Sequence, residues 1–228
     1  MSRQNLIFDA DDTLWENNIY FEQAFDDFVE YLDHSSLTPT EVRAVLDELE
    51  AVNARIHGYG SVRFGRNMQD VYRRLSERHI QERDLKTVMG FAERILEQPI
   101  ELRPGVEETL EYLVTRHDLT ICTKGQSEEQ KLKVDRSGLA VYFGHCEIVP
   151  EKHPGAYREL IEKRGLTPQS TWMIGNSPKS DINPALEVGL NAVYIPHPRT
   201  WILEKAELPT SHERLMRLET FSDLRKHF

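Results

Sequence analysis

Cysteine is scarce in this chain, which holds only Cys122 and Cys146. Two thiols cannot staple a disulfide scaffold, and alone they make no convincing zinc site. Both lie in apolar, strand-like stretches, which predicts buried free thiols rather than a disulfide. Positive charge is also short: 28 Lys and Arg stand against 38 Asp and Glu, for a net charge of −10. That balance argues against a nucleic-acid polymer as the main partner. It does not exclude a small anion, because a bound cation reverses the field inside one cleft. Runs of apolar residues long enough to cross a bilayer are missing, so no membrane partner is expected. Met1-Ser2-Arg3-Gln4 leads into a strand-like segment without a signal-peptide layout, so the cytoplasm is the expected location. Internal repeats and low-complexity tracts are absent, and 228 residues suffice for one large domain or two modest ones. Composition says nothing about oligomeric state.

What is present divides into two textures. From about Asn18 to Pro99 the chain reads as almost entirely helical. Phe21, Phe25, Phe28, Val29 and Leu32 recur at helical spacing and form one apolar stripe. Thr38-Pro39-Thr40-Glu41 combines a capping box with proline at the first helical position, so a second helix starts there and runs toward Ile56. Gly58-Tyr59-Gly60-Ser61 breaks it, and further helices are expected around Met68–Ile80 and Leu85–Leu96. Four helices without a strand predict a compact bundle.

After Arg103-Pro104-Gly105, helix-like and strand-like segments alternate. Val106–Arg116 precedes the run Leu119–Cys122, Ser127–Ser137 precedes Cys146–Val149, and Gly155–Arg164 precedes Thr171–Ile174. A helix from about Ile182 to Val188 precedes Ala192–Ile195. Such alternation signals a parallel sheet with right-handed crossovers, which the first strand, Asn5–Phe8, would join. The expected fold is α/β, a doubly wound Rossmann-like parallel sheet core (residues 1–15 and 101–228). An α-helical cap domain (16–100) is inserted after the first strand, as a lid over the strand ends.

The densest chemistry follows that first strand. Asp9-Ala10-Asp11-Asp12-Thr13-Leu14 places three carboxylates and a hydroxyl where a buried strand opens into a loop. Clustered carboxylates repel, and a hard cation or a shared proton relieves the cost; a solvated acidic helix cap is the bland reading of the same residues. Other strand ends add to it. Thr123-Lys124-Gly125 offers a hydroxyl and backbone N–H groups just before a helix, a favourable anion site. Lys152, after the strand ending at Val149, offers a fixed positive charge. In Gly175-Asn176-Ser177-Pro178-Lys179-Ser180-Asp181, the glycine permits a tight turn, and Asn176 and Asp181 offer oxygens to a cation. Each signal alone is weak; a parallel sheet converges all four.

These residues resemble the haloacid dehalogenase superfamily. Asp9–Thr13 is similar to its first motif, Thr123 to its second, Lys152 to its third and Gly175–Asp181 to its fourth, and the helical insertion resembles its C1-type cap. The resemblance implies a role for each residue. Asp9 would attack phosphorus to form an aspartyl-phosphate. Asp11 would protonate the leaving oxygen and then activate water. Thr123 and Lys152 would hold the phosphoryl oxygens, with Lys124 beside them. Mg2+ would be held by Asp9, the Asp11 backbone carbonyl, Asn176 and Asp181. Many family members carry Asp where this chain has Asn176, so the site loses one formal negative charge and Asp181 becomes the anionic anchor of its loop.

The resemblance implies a magnesium-dependent phosphatase acting on a small phosphorylated metabolite. Displacing halide needs no acid for the leaving group, so Asp11 favours phosphatase over haloacid dehalogenase. Phosphonatases of this layout use a cap lysine, and no lysine occurs before Lys86. A phosphosugar mutase shares the same catalytic residues and stays open. A non-enzymatic receiver domain also combines Asp, Thr and Lys on a parallel sheet, but its acceptor follows the third strand and it has no large helical insertion. Substrate identity is open among sugar phosphates, nucleotides, phosphoglycolate and flavin mononucleotide. In the Gly58–Arg66 connection, Arg63 or Arg66 could hold a second anionic group, and Tyr59 or Phe64 could stack on a ring. Asp181→Ala is expected to raise sharply the magnesium concentration needed for half-maximal activity. A magnesium titration showing an unchanged requirement would remove Asp181 from the site.

Overall fold

The computed structural model describes residues 2–228. The chain separates into two compact units, one comprising the residues up to Glu16 and Ile100–Phe228, the other Asn17–Pro99. In the first, β1 (Asn5–Phe8) is followed, after the second unit, by α5 (Val106–Val114), β2 (Asp118–Lys124), α6 (Ser127–Ser137) and β3 (His145–Val149). Then come α7 (Pro154–Arg164), β4 (Thr171–Gly175), α8 (Asn183–Glu187), β5 (Asn191–Tyr194) and β6 (Leu215–Arg217). Among the described residues these strands form one six-stranded sheet in the order β3-β2-β1-β4-β5-β6, every pair parallel.

Strand alternation divides the core between the two faces. Leu6 and Phe8 of β1, Ile121 of β2 and Ile174 of β4 pack on one face with Leu110 and Leu113 of α5, Val134 of α6, and Phe221 and Leu224 of the C-terminal segment. Ile7, Cys122 and Met173 point to the other face, against Tyr157 and Leu160 of α7 and Ala185 of α8. With both faces covered, the central strands read as continuous apolar runs. The crossovers leave β1 toward β2–β3 on one side and β4–β6 on the other. The end of β1 is therefore the topological switch point, where such sheets bind ligands.

The helical unit contains α1 (Asn18–Leu32), α2 (Pro39–His57), α3 (Ser61–Leu75) and α4 (Glu82–Glu93). The capping box of α2 forms: Thr38 Oγ1 accepts from the Glu41 N–H, and Glu41 Oε2 accepts from the Thr38 N–H at 2.8 Å. The core of the unit is built from Phe25, Phe28, Leu46, Met68, Val71, Tyr72, Val88 and Ala92. Among the described residues, no helix is long and apolar enough to cross a membrane.

Several expectations need correction. α3 starts at Ser61 rather than near Met68, because Gly60, at φ 122°, completes the break and Ser61 is already buried in the first turn. Arg63 and Arg66 therefore lie on a helix, not in an irregular connection. The helix after β4 is shorter than expected: Pro178–Ile182 forms a wider turn before α8. β6 was not anticipated, since Leu215-Met216-Arg217 is too short to show a period. Both cysteines are free, but only Cys122 is buried, and burial pushes its thiol up to about 12. Cys146 is exposed because β3 is an edge strand of the sheet.

Gly65 shows how tightly the bundle is packed. A Cβ built there lies 2.6 Å from Met89 Sδ and 2.9 Å from Ala92 Cβ on α4. Gly65→Ala gains helix propensity of about 0.5–1 kcal/mol, yet forces α3 away from α4 at a typical overpacking cost of about 1–3 kcal/mol. Net destabilisation is expected in urea unfolding. A raised midpoint would show that the helix contact yields freely.

Candidate active site

The loop after β1 folds back on its own strand end. The Asp9 N–H still donates to the Ile174 carbonyl at 2.9 Å, extending the pairing of β1 with β4 by one residue. The Ala10 carbonyl then accepts from Thr13 and Leu14, and the Asp12 N–H donates to the Trp15 carbonyl at 2.8 Å. Asp12 takes the left-handed conformation at φ 61°, which Asp tolerates better than most residues. This turn returns the buried Thr13 hydroxyl to within 2.8 Å of Asp9 Oδ2 and 3.1 Å of Asn176 Oδ1. Thr13 thus ties the first strand end to the fourth.

Lys152 completes the centre. Its ammonium donates to Asp9 Oδ1 at 2.6 Å and to Asp181 Oδ1 at 2.8 Å, with the Lys152 and Asp181 side chains almost wholly buried. Asp181 Oδ2 accepts from the Ser177 N–H at 2.9 Å. A Cβ at Gly175 would fall 2.2 Å from that oxygen, so only glycine lets the carboxylate lie against the end of β4. Burial pushes the Asp181 carboxyl up to about 7, Asp9 adds to the rise, and Lys152 only partly offsets it. Burial works against the charged form of Lys152, but Asp181 and Asp9 outweigh it and hold the ammonium well above its usual range.

Thr123, at the end of β2, is buried and donates to Gln130 Oε1 at 3.0 Å. Gln130 Nε2 donates to Asp11 Oδ2 at 2.9 Å, and Lys133 Nζ reaches both Asp11 oxygens at 2.7 and 2.6 Å. Trp15 Nε1 donates to Asp11 Oδ1 at 2.8 Å. Asp9, Thr13, Lys152, Asn176 and Asp181 therefore form one bonded cluster, while Asp11 and Thr123 join a second through Gln130.

Lys124, expected beside the phosphoryl oxygens, already has partners within the fold. Its ammonium contacts Glu151 Oε1 at 3.3 Å, Ser180 Oγ at 2.9 Å and the Glu204 carboxylate, so two carboxylates already share its charge. Glu204 Oε2 also accepts from Ser177 Oγ at 2.6 Å. Burial disfavours the Glu204 carboxylate, but Lys124 and these hydroxyls reverse that and hold its pKa down. Arg63 (half-buried) and Arg66 (exposed) belong to the helical unit.

Gln130, Lys133 and Glu204 were not foreseen. α6 carried a signal for the first two. It buries Glu129, Gln130, Lys133 and Val134 while leaving Leu132 exposed, so its inward face is polar where a packing helix would show an apolar stripe. Glu204 has no local signal, since it comes from the long excursion between β5 and β6. Asp12 stays apart from the cluster. It lies near Glu16 and His197, whose Nδ1 accepts from the Arg199 N–H at 3.2 Å. Nε2 then carries the ring proton toward Glu16 Oε2 at 3.1 Å, and burial pushes the His197 pKa down.

Comparison with known proteins gives the arrangement a family. A haloacid dehalogenase-like family hydrolase from Xanthomonas campestris shares 27% identity at a TM-score of 0.85, over 99% of this chain and 94% of that one. The HAD-hydrolase YfnB of Bacillus subtilis, solved with magnesium, is similar at 18% identity and a TM-score of 0.69, over 100% and 99%. A 2-haloacid dehalogenase from Pseudomonas syringae is similar at 19% identity and 0.66, over 99% and 97%. At those identities the last two show the fold alone. No curated protein matches the sequence significantly. The model of the haloacid dehalogenase-like hydrolases matches residues 4–189, most of the chain and all four motifs. The chain belongs to the haloacid dehalogenase-like hydrolases.

Proposed function

We propose that this hydrolase is a magnesium-dependent phosphatase that cleaves a small-molecule phosphomonoester through an aspartyl-phosphate on Asp9, in the cytoplasm. The observation that carries this reading is the second carboxylate, Asp11, held two residues from Asp9 and joined through Gln130 to Thr123. A dehalogenase needs no proton for its leaving halide, whereas an alkoxide leaving from phosphorus does.

Asp9 attacks phosphorus in line as the ester oxygen departs, and Asp11 supplies the proton that oxygen takes. Asp11 then accepts a proton from water, which attacks the aspartyl-phosphate and returns the electron pair of the cleaved bond to Asp9. Thr123 and Lys152 hold the phosphoryl oxygens, and Lys152 also keeps Asp9 aimed through its 2.6 Å contact.

The donor set fits a hard divalent cation. Asp9 Oδ2 and Asn176 Oδ1 converge on the single Thr13 proton, which satisfies only one of them fully, and the Asp181 carboxylate lies in the same cluster. With the backbone carbonyl of Asp11, these oxygens would hold Mg2+. When bound, it offsets negative charge between nucleophile and phosphoryl group. The magnesium found in the Bacillus neighbour supports this assignment. Residues 16–100 are read as the C1-type cap, with Arg63 and Arg66 on α3 as candidates for binding a second anionic group of the substrate.

A phosphate-release screen over sugar phosphates, nucleotides, phosphoglycolate and flavin mononucleotide, with and without magnesium, tests the reading. Release is expected to require magnesium and to disappear in Asp9→Asn, a loss of at least about 10³-fold given the non-additive cost of removing a nucleophile. Activity surviving that change would rule out the aspartyl-phosphate. Halide release from 2-haloacids without phosphate release would assign a dehalogenase, and exchange of glucose-phosphate isomers would assign a mutase.

A further inference from the structure

Asp11 is held on both carboxylate oxygens. Oδ1 faces Trp15 Nε1 and Lys133 Nζ, and Oδ2 faces Gln130 Nε2 and Lys133 Nζ, all between 2.6 and 2.9 Å. An ionised carboxylate offers about four acceptor directions, and here each one meets an N–H donor, the arrangement of Asp11 after its proton has gone to the leaving oxygen and before it takes one from water. Trp15 comes from the same loop, but Gln130 and Lys133 come from α6, one helical turn apart on its buried face. The Lys133 side chain is 7% exposed, whereas Leu132 beside it on the helix is exposed. Burying lysine and glutamine costs desolvation that a leucine facing inward would avoid. The ion pair and hydrogen bonds to Asp11 are what offset that cost.

The orientation of Gln130 is fixed by its partners. A carboxylate accepting hydrogen bonds must face the amide N–H, so the carbonyl end must face the Thr123 hydroxyl. One side chain therefore spans from the residue assigned to the phosphoryl oxygens to the residue assigned to proton transfer.

We propose that Lys133 and Gln130 are positioning residues that hold Asp11 as the proton acceptor for hydrolysis of the aspartyl-phosphate. This rests on the phosphatase reading above. In that half-reaction a water oxygen bonds to phosphorus as the bond from phosphorus to the Asp9 oxygen breaks. One water proton passes to Asp11, and inorganic phosphate leaves. Lys133 spreads its contact over both oxygens, so it can give up one as the water arrives and keep the other. Three donors then still fix the carboxylate plane.

Burst kinetics with p-nitrophenyl phosphate and Mg2+ on the full chain separate the two halves, because nitrophenolate leaves without needing an acid. In Lys133→Met the burst is expected to keep its rate and approach one equivalent per site. Steady-state turnover is expected to fall about 10- to 100-fold, the lower part of the range for losing general-base help. Acid-quenched protein should then carry the phosphoryl mass, and Lys133→Arg should recover most of the turnover. A retained burst also shows that the variant is folded. If Lys133→Met fails to fold, Gln130→Met carries the test and should show the same pattern with a smaller loss. Burst and turnover falling together, or turnover unchanged, would overturn the proposal. A wild-type protein that releases no nitrophenolate would overturn the phosphatase reading, and this inference with it.

Discussion

The ammonium of Lys152, held between Asp9 and Asp181, is the contact on which the rest of the candidate site depends. Two carboxylates brought together in a buried pocket repel each other, and each has lost its water. The rise of Asp181 to about 7 records that conflict. A single lysine, itself almost wholly buried, answers both carboxylates at hydrogen-bond distance. The strand ends that carry these residues are not level: β1 ends opposite Ile121 and Ile174, while β3 runs on to Val149, opposite Lys124. The loops after β3 and β4 bring Lys152 and Asp181 back to Asp9.

Around this centre the molecule repeatedly spends polar burial on orientation. Thr13 links Asp9 to Asn176, Ser177 presents its N–H to Asp181 and its hydroxyl to Glu204, and Lys124 sits between Glu151 and Glu204. Glycine at 175 is what lets the Asp181 carboxylate reach the end of β4. Partly satisfied, such a network would cost more than an apolar core; well satisfied, it fixes one geometry. The helical unit is packed mainly on aromatic and aliphatic side chains.

Much of the fold was legible because its signals are local or periodic. The capping box at Thr38, the break at Gly58–Gly60 and the alternation after Pro104 each declare themselves within a few residues. So did the candidate site residues that follow strands directly: Asp9, Asp11, Thr123, Lys152, Asn176 and Asp181. Burial by neighbours was harder to see. Cys146 looked like a core residue because β3 is apolar in character, but an edge strand leaves it exposed. The contact of Lys124 with Glu204 was equally hidden, because Glu204 arrives from the excursion after β5.

The sequence by itself determined the candidate reacting groups and the class of fold, since both depend on residue type at short spacing and on hydrophobic period. Only the tertiary structure decided which groups are spent on each other. It paired Lys152 with two carboxylates, engaged Lys124 with Glu204, and turned the polar face of α6 so that Gln130 and Lys133 close on Asp11. Those partners lie from 29 to 143 residues apart in the chain. An ion pair at that separation is set by where strand ends converge, a property of the sheet that no stretch of sequence holds alone.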